Sequence, residues 1–226
     1  MTFLNNFFFN YYPYIVLSFF FIGSIYRYEN SQYTWKSGSS QILRNNIFLA
    51  SNFFHFGILF LIFGHFFGLM TPKIIYSKFI TPESKQLVAI IVGGTAGFFC
   101  LFGLTFILYR RFFDIRIRKN SNKSDFLVLI LLYFQLLLGL FSILISVNHL
   151  DNPSSMISLA HWVQGIFIFD ENLYHYITNE HWIFKLHLIL GMTILLIFPF
   201  TRLIHIFSFP YLYFLRTGYQ IVRILK

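Results

Sequence analysis

Residues 51–72 read SNFFHFGILFLIFGHFFGLMTP, an apolar run whose only ionisable side chains are those of His55 and His65. A helix needs about 20 predominantly apolar residues to cross the hydrocarbon core of a bilayer. An imidazole inside that layer is costly and normally faces a partner within a helix bundle. The run therefore predicts a membrane-spanning helix that carries two functional histidines.

A second apolar run, residues 185–208, reads KLHLILGMTILLIFPFTRLIHIFS and carries His187 and His205. Neutral imidazole nitrogen is a common axial ligand of haem iron, so two histidines on each of two helices favour two haems stacked across a membrane. A lone intramembrane histidine is more often a packing or proton-path residue. The single cysteine, Cys100, excludes the paired-cysteine attachment of c-type haem. Any haem would therefore be b-type.

The overall composition is typical of a membrane protein. Apolar residues make up 57% of the 226 residues, charged residues make up 11%, and the mean hydropathy is +0.65. A soluble domain would carry about a quarter charged residues. The uncharged stretches predict an all-α bundle of five membrane-spanning helices, at about 3–26, 47–71, 86–109, 125–148 and 183–207. The first stretch lacks a basic n-region and a cleavage site, which predicts an uncleaved helix.

The positive charges are distributed unevenly between the two ends of these helices. One side carries 13 of the 17 Lys and Arg residues, namely Arg27, Lys36, Arg44, Arg110, Arg111, Arg116, Arg118, Lys119, Lys123, Arg202, Arg216, Arg223 and Lys226. The other side carries Lys73, Lys78, Lys85 and Lys185. The positive-inside rule then predicts a periplasmic N-terminus and a cytoplasmic C-terminus. The basic excess is interpreted as a topology signal and not as a nucleic-acid footprint.

This topology pairs the histidines by depth. The second and fifth helices would run antiparallel, which matches His65 with His187 toward the outside and His55 with His205 toward the cytoplasm. Along straight helices, His55 and His65 would be about 15 Å apart and His187 and His205 about 27 Å apart. Tilt or bending must therefore take up the difference between these two distances. Pro199 is the predicted kink. Four further histidines are expected to be solvated or interfacial in the outer connection and not to be ligands: His149, His161, His175 and His181.

Glycines accompany the histidines on both helices. Gly57, Gly64 and Gly68 lie on the second helix, and Gly191 lies on the fifth. Without a Cβ, glycine lets a flat macrocycle or another helix approach the backbone. Glycines are common in membrane helices, so they only support the haem hypothesis.

Further segments, together with the two histidine runs, resemble one known family along nearly the whole chain. They are FLNNFFFNYYPYI at 3–15, QYTWKSGSSQ at 32–41, VGGTAGFFCLFG at 92–103 and YQIVR at 219–223. They resemble the gamma subunit of respiratory nitrate reductase, the cytochrome b subunit of a membrane-bound complex. The outer connection at about 151–180 departs from the family.

The resemblance implies that the chain oxidises a membrane quinol near the outer surface and passes electrons through two b haems. The implied partners are an iron–sulfur beta subunit, a molybdenum alpha subunit that reduces nitrate, membrane lipid and quinone, with no nucleic acid. The chain would be a single dihaem cytochrome b domain of residues 1–226 in the cell inner membrane. A short cytoplasmic tail would cover about 209–226. Its enzymatic role would be that of a subunit of a quinol:nitrate oxidoreductase.

The resemblance also implies specific haem ligands. By position, His55 and His205 would hold the iron of the inner haem, and His65 and His187 that of the outer haem. Three arginines at the cytoplasmic end could pair with haem propionates, or could be ordinary positive-inside anchors: Arg110, Arg111 and Arg202.

The quinol site implied by the resemblance lies beside the outer haem and uses Lys85 with Gly64. An ammonium group could orient a quinol oxygen that becomes more negative as its proton leaves. From the residues alone, the favoured interpretation of Lys85 is an interfacial lysine whose charge reaches the headgroups.

Two alternatives stay open from the sequence. The chain could be a dihaem b subunit that serves another quinol-linked reductase, with the same membrane chemistry and a different soluble partner. It could instead be a haem-free transporter or scaffold, against which stand the four histidines and the lack of inverted repeats. A reduced-minus-oxidised spectrum would separate the second alternative from the haem proteins.

Overall fold

A computed structural model describes residues 2–31 and 47–208. Those residues form helices and short connections, with no strand among them. Within residues 2–31 and 47–208, five helices are long and apolar enough to cross a membrane, namely Phe3–Ser31, Phe48–Met70, Pro82–Phe113, Lys123–Val147 and Trp182–Phe200. We call them spans one to five. The predicted all-α fold with five spans is confirmed, whereas the predicted tail at about 209–226 lies outside the described residues.

Local capping explains why spans three and four begin earlier than hydropathy suggests. Thr81 precedes span three, and its hydroxyl oxygen accepts a hydrogen bond from the backbone N–H of Ser84 at 3.3 Å. Pro82 then occupies the first turn, where its missing N–H is no loss. Span four begins with a capping box between Asn122 and Asp125. These polar turns extend both helices beyond their apolar centres.

Spans two and three are in close backbone contact at two glycines. A Cβ added to Gly57 would lie 2.7 Å from the Cβ of Cys100 and 2.9 Å from the carbonyl oxygen of Ala96. A Cβ added to Gly103 would clash with the backbone of span two at Phe54. Of the glycines singled out in the sequence, Gly57 therefore serves helix packing.

The connection between spans four and five contains two helices, Ser154–Ile168 and Leu173–Thr178. The indole N–H of Trp162 donates to the carbonyl oxygen of Phe9 at 2.9 Å, which joins this connection to span one. The side-chain amide of Gln164 donates to the carbonyl oxygen of Leu69 at 2.7 Å, at the end of span two. The segment is thus packed onto the bundle and is not an open loop.

Span five is interrupted near its end. Its α-helix covers Trp182–Ile197, a 3-10 turn covers Phe198–Phe200, and a separate 3-10 segment covers Arg202–Ser208. The prediction of one helix to residue 207 is therefore wrong in its last turns. Pro199 explains the interruption, because proline lacks the N–H of the helical hydrogen bond and crowds the preceding turn. The predicted kink at Pro199 is confirmed.

Candidate functional site

The structure brings the four predicted histidines together in two pairs. The ring centroids of His55 and His205 are 6.4 Å apart, and those of His65 and His187 are 6.1 Å apart. We call the end of the bundle where span three meets span four the basic end, because Arg110, Arg111, Arg116, Arg118 and Lys119 cluster there. His55 and His205 form the basic-end pair. His65 and His187 form the far-end pair.

Three of the four imidazoles have the same backbone contact. In each, the Nδ1–H donates to a carbonyl oxygen three or four residues earlier. These contacts are His55–Ser51 at 2.7 Å, His65–Leu61 at 2.7 Å and His205–Arg202. A proton on Nδ1 leaves the Nε2 lone pair free for a metal, and such a second contact fixes the ring of a metal-bound histidine. The three rings therefore share the tautomer in which Nε2 is the nitrogen that can ligate a metal.

His187 is held differently, by the side chain of Gln135 on span four. The Gln135 amide donates to the carbonyl oxygen of His187 at 3.1 Å and lies 3.4 Å from its Nε2. Nδ1 of His187 and Oε1 of Gln135 are buried and have no hydrogen-bond partner in the described part of the chain. Buried polar atoms are normally paired, so this junction has unused hydrogen-bonding capacity.

Glycines near the far-end pair allow close contacts on spans four and five and leave open space on span two. A Cβ on Gly139 would lie 3.1 Å from Cε1 of His187, and a Cβ on Gly191 would lie 3.0 Å from the amide nitrogen of Gln135. On span two, a Cβ on Gly64 or Gly68 would meet no atom of the described residues within 4 Å. The surface beside His65 is therefore open.

Both ring separations suit two nitrogen ligands on one metal ion. Two metal–nitrogen bonds of about 2 Å each, together with the two ring radii, come to roughly 6 Å. The ring planes are inclined at 74° in the basic-end pair and at 34° in the far-end pair. The assignment of the four histidines as haem ligands stays a prediction.

A buried carboxylate lies next to the basic-end pair. The side chain of Asp125 is only 2% exposed, and its oxygens lie 2.7 Å from Nε of Arg202 and 3.4 Å from Nη1 of Arg111. It also accepts a hydrogen bond from the backbone N–H of Asn122 at 2.9 Å. Two of the arginines identified in the sequence thus share one carboxylate. Arg110 instead lies 4.0 Å from Asp114, one helical turn away.

Lys85 lies at the far end of the bundle, at the start of span three. It is half-buried, and its Nζ lies 3.7 Å from the centroid of the Tyr76 ring. Tyr76 belongs to the short helix Lys73–Tyr76 between spans two and three. Burial, and to a lesser degree the charge of Glu83, raises the pKa of the Tyr76 phenol. The ring therefore stays neutral and presents its electron-rich face to the ammonium.

Comparison with known proteins identifies the family. The family model described as nitrate reductase gamma subunit matches residues 5–225. The chain belongs to this family. It is 46% identical to respiratory nitrate reductase 1 gamma chain of Escherichia coli (strain K12), with 99% of both chains covered. It is 35% identical to nitrate reductase gamma chain of Bacillus subtilis (strain 168), with 91% of this chain and 92% of that protein covered.

Family membership confirms the resemblance seen in the sequence. The gamma subunit is a part of nitrate reductase, an oxidoreductase complex with other subunits. Its five apolar helices agree with the predicted location in a membrane as a multi-pass protein.

Four histidines lie in the connection between spans four and five. All four are exposed, as predicted: His149, His161, His175 and His181. Three residues of the gamma subunit that contact predicted site residues were not predicted from the sequence, namely Asp125, Gln135 and Tyr76. A carboxylate at the first turn of span four and an amide in its apolar centre were the available signals, since polar groups in a membrane helix normally have partners.

Proposed function

We propose that this gamma subunit binds two b-type haems, one at each histidine pair, and is the quinol-oxidising subunit of its nitrate reductase. The observation that carries the proposal is the geometry of the pairs, with rings 6.4 Å and 6.1 Å apart. The Nδ1–H bonds of His55, His65 and His205 to backbone carbonyl oxygens put the ring proton on Nδ1, the tautomer whose Nε2 carries the lone pair. When bound, the haems supply one-electron carriers at two depths of the bundle.

The residues of the chain set the position and the surroundings of these carriers. His55 and His205 would ligate at the basic end, and His65 and His187 at the far end. The ring contacts orient the ligands, and the apolar spans exclude water from the region between the two pairs. Gly139 and Gly191 let the His187 ring and the Gln135 amide pack against their backbones, because a Cβ at either position would lie about 3 Å from those side chains.

The proposed orientation follows from the charges. The basic end, with most of the Lys and Arg residues that the structure describes, would face the cytoplasm by the positive-inside rule. It is also where an iron–sulfur subunit would dock, to relay electrons to a molybdenum subunit that reduces nitrate. The N-terminus and the far-end pair would then lie toward the periplasmic side, so that protons from quinol oxidation are released there.

Lys85, with Gly64 beside His65, is the proposed quinol site. The Lys85 ammonium is held on the Tyr76 ring at 3.7 Å, which leaves N–H donors for a quinol oxygen. A fixed positive charge favours the oxygen that gains negative charge as its proton leaves. The open space next to Gly64 would admit the quinol ring.

The test is quinol-driven haem reduction, measured by stopped-flow in membranes that contain the whole complex. We expect Lys85→Ala to abolish reduction by quinol while both haems still accept electrons from dithionite. Lys85→Arg should rescue only in part, since a planar guanidinium replaces a compact ammonium. Lys78→Ala is the matched control, because Lys78 is an exposed lysine at the same end. Wild-type kinetics in Lys85→Ala would remove Lys85 from the quinol site.

A further inference from the structure

The backbone that carries His205 is an unusual support for a ligand. Arg202–Ser208 is a 3-10 segment of seven residues, which follows the interruption of span five at Pro199. Runs of 3-10 helix longer than three or four residues are uncommon because their hydrogen-bond geometry is poor. The other three histidines lie on regular α-helix. The position of His205 therefore depends on contacts from outside its own segment.

One such contact comes from span one. Nη1 of Arg27 donates to the carbonyl oxygens of Pro199 at 2.6 Å and of Thr201 at 2.8 Å. These carbonyls belong to the interruption, where the helical hydrogen bonds of span five are missing. Charge-assisted hydrogen bonds of this kind are stronger than neutral ones. Arg27 thus fixes the start of the 3-10 segment.

The second contact comes from span four. The Asp125 carboxylate holds Nε of Arg202 at 2.7 Å, and Asp125 is itself held by its capping box and by Arg111. Arg202 is the residue whose carbonyl oxygen accepts the Nδ1–H bond of His205. The side chain of one residue is therefore anchored by Asp125 while its carbonyl oxygen orients the imidazole.

We infer that Arg27 and Asp125 are positioning residues for His205, and that together they clamp the 3-10 segment between spans one and four. The clamp aligns the His205 ring with His55 across the basic-end pair. The inference rests on the proposed function, because it takes His205 as a haem ligand. It assigns roles to two charged residues that the haem and quinol sites leave unexplained.

The clamp predicts an effect on one haem only. We expect Asp125→Asn and Arg27→Gln each to weaken haem binding at the basic-end pair by about 10-fold to 100-fold, the range for residues that orient metal ligands. The low-spin ferric EPR signal of the remaining basic-end haem should shift or broaden, because the ring orientation changes. The far-end haem of the same molecule should keep its wild-type signal. Single variants His205→Ala and His187→Ala assign the two signals.

Two further variants separate positioning from other effects. Asp114→Asn removes one charged partner of Arg110 at the same end and leaves the Asp125 contact of Arg202 in place, so both haems should be unchanged. The double variant Asp125→Asn with Arg111→Gln restores the net charge around Arg202. If Asp125 acts only through its charge, this double variant recovers the wild-type signal; if it positions His205, the signal stays altered.

The outcomes distinguish this inference from the proposed function. A wild-type protein without two haems would contradict the proposed function itself. Two wild-type haems together with an unchanged basic-end signal in Asp125→Asn and Arg27→Gln would overturn the clamp alone. Parallel loss of both haems in these variants would also overturn it, since the contacts would then hold the whole bundle and not one ligand.

Discussion

The two histidine pairs use the same ligands but are held in different ways. At the basic end, His205 lies on a 3-10 segment after a proline, beside the buried Asp125 that two arginines share. At the far end, His187 lies on regular helix and contacts a neutral amide and a glycine. The first pair is held by charge from neighbouring spans, and the second by close packing. Substitutions should therefore damage each pair through a different mechanism.

The largest expected effect is the loss of one haem per substituted pair. We expect His55→Ala and His205→Ala to remove the basic-end haem, and His65→Ala and His187→Ala to remove the far-end haem, because each iron loses an axial ligand. Redox titration of each variant checks which haem is missing. The exposed His161 gives the control His161→Ala, which should keep both. If His65→Ala and His187→Ala remove different haems, the pairing is wrong.

A smaller effect should follow from crowding the far-end pair. Gly139→Leu places a side chain where even a Cβ lies 3.1 Å from the His187 ring. Overpacking of this kind costs about 1–3 kcal/mol, so haem affinity at the far end should fall by about 5-fold to 150-fold. Haem content per chain during titration with free haem measures it.

Gly93→Leu is the matched control for this prediction, because a Cβ on Gly93 meets no atom of the described residues within 4 Å. It should leave both haems in place. Equal loss of the far-end haem in the two variants would show that general helix disturbance, and not contact with His187, causes the effect.

The smallest effect on haem affinity should come from replacing the neutral side-chain amide of Gln135. Gln135→Leu removes the hydrogen bond to the carbonyl oxygen of His187 but also removes a buried unpaired oxygen. A neutral hydrogen bond contributes about 1 kcal/mol net, so far-end haem affinity should fall by less than about tenfold. Gln164→Leu removes a similar amide-to-carbonyl bond that touches no histidine, and it should leave haem affinity unchanged. A larger loss at the basic end would contradict the separation of the two pairs.

The spans and the meeting of the four histidines follow from regular features of the chain. Hydropathy identifies helices long enough to cross a bilayer, and charge asymmetry with helical rise places His55 near His205 and His65 near His187. The Pro199 interruption was predictable because proline cannot complete the helical hydrogen bonds. Each of these features can be evaluated from the residues of one segment or from the number of residues in it.

The contacts around the histidines were not predictable in the same way. Asp125 meets Arg202, and Gln135 meets His187, across different spans. Such contacts depend on the rotation and register of two packed helices, which one sequence does not specify. The helix Ser154–Ile168 was not predicted, because the sequence between spans four and five was interpreted only as an outer connection. In the structure, Trp162 of this helix contacts span one.

The most direct test of the account is a haem count on the purified wild-type gamma subunit in its complex. We expect two haems per chain, a reduced-minus-oxidised spectrum of b type, and two low-spin ferric EPR signals, since each pair supplies two imidazole ligands. A single haem per chain would contradict the claim that both pairs are ligand sites. A spectrum without b-type bands would contradict the proposed function as a whole.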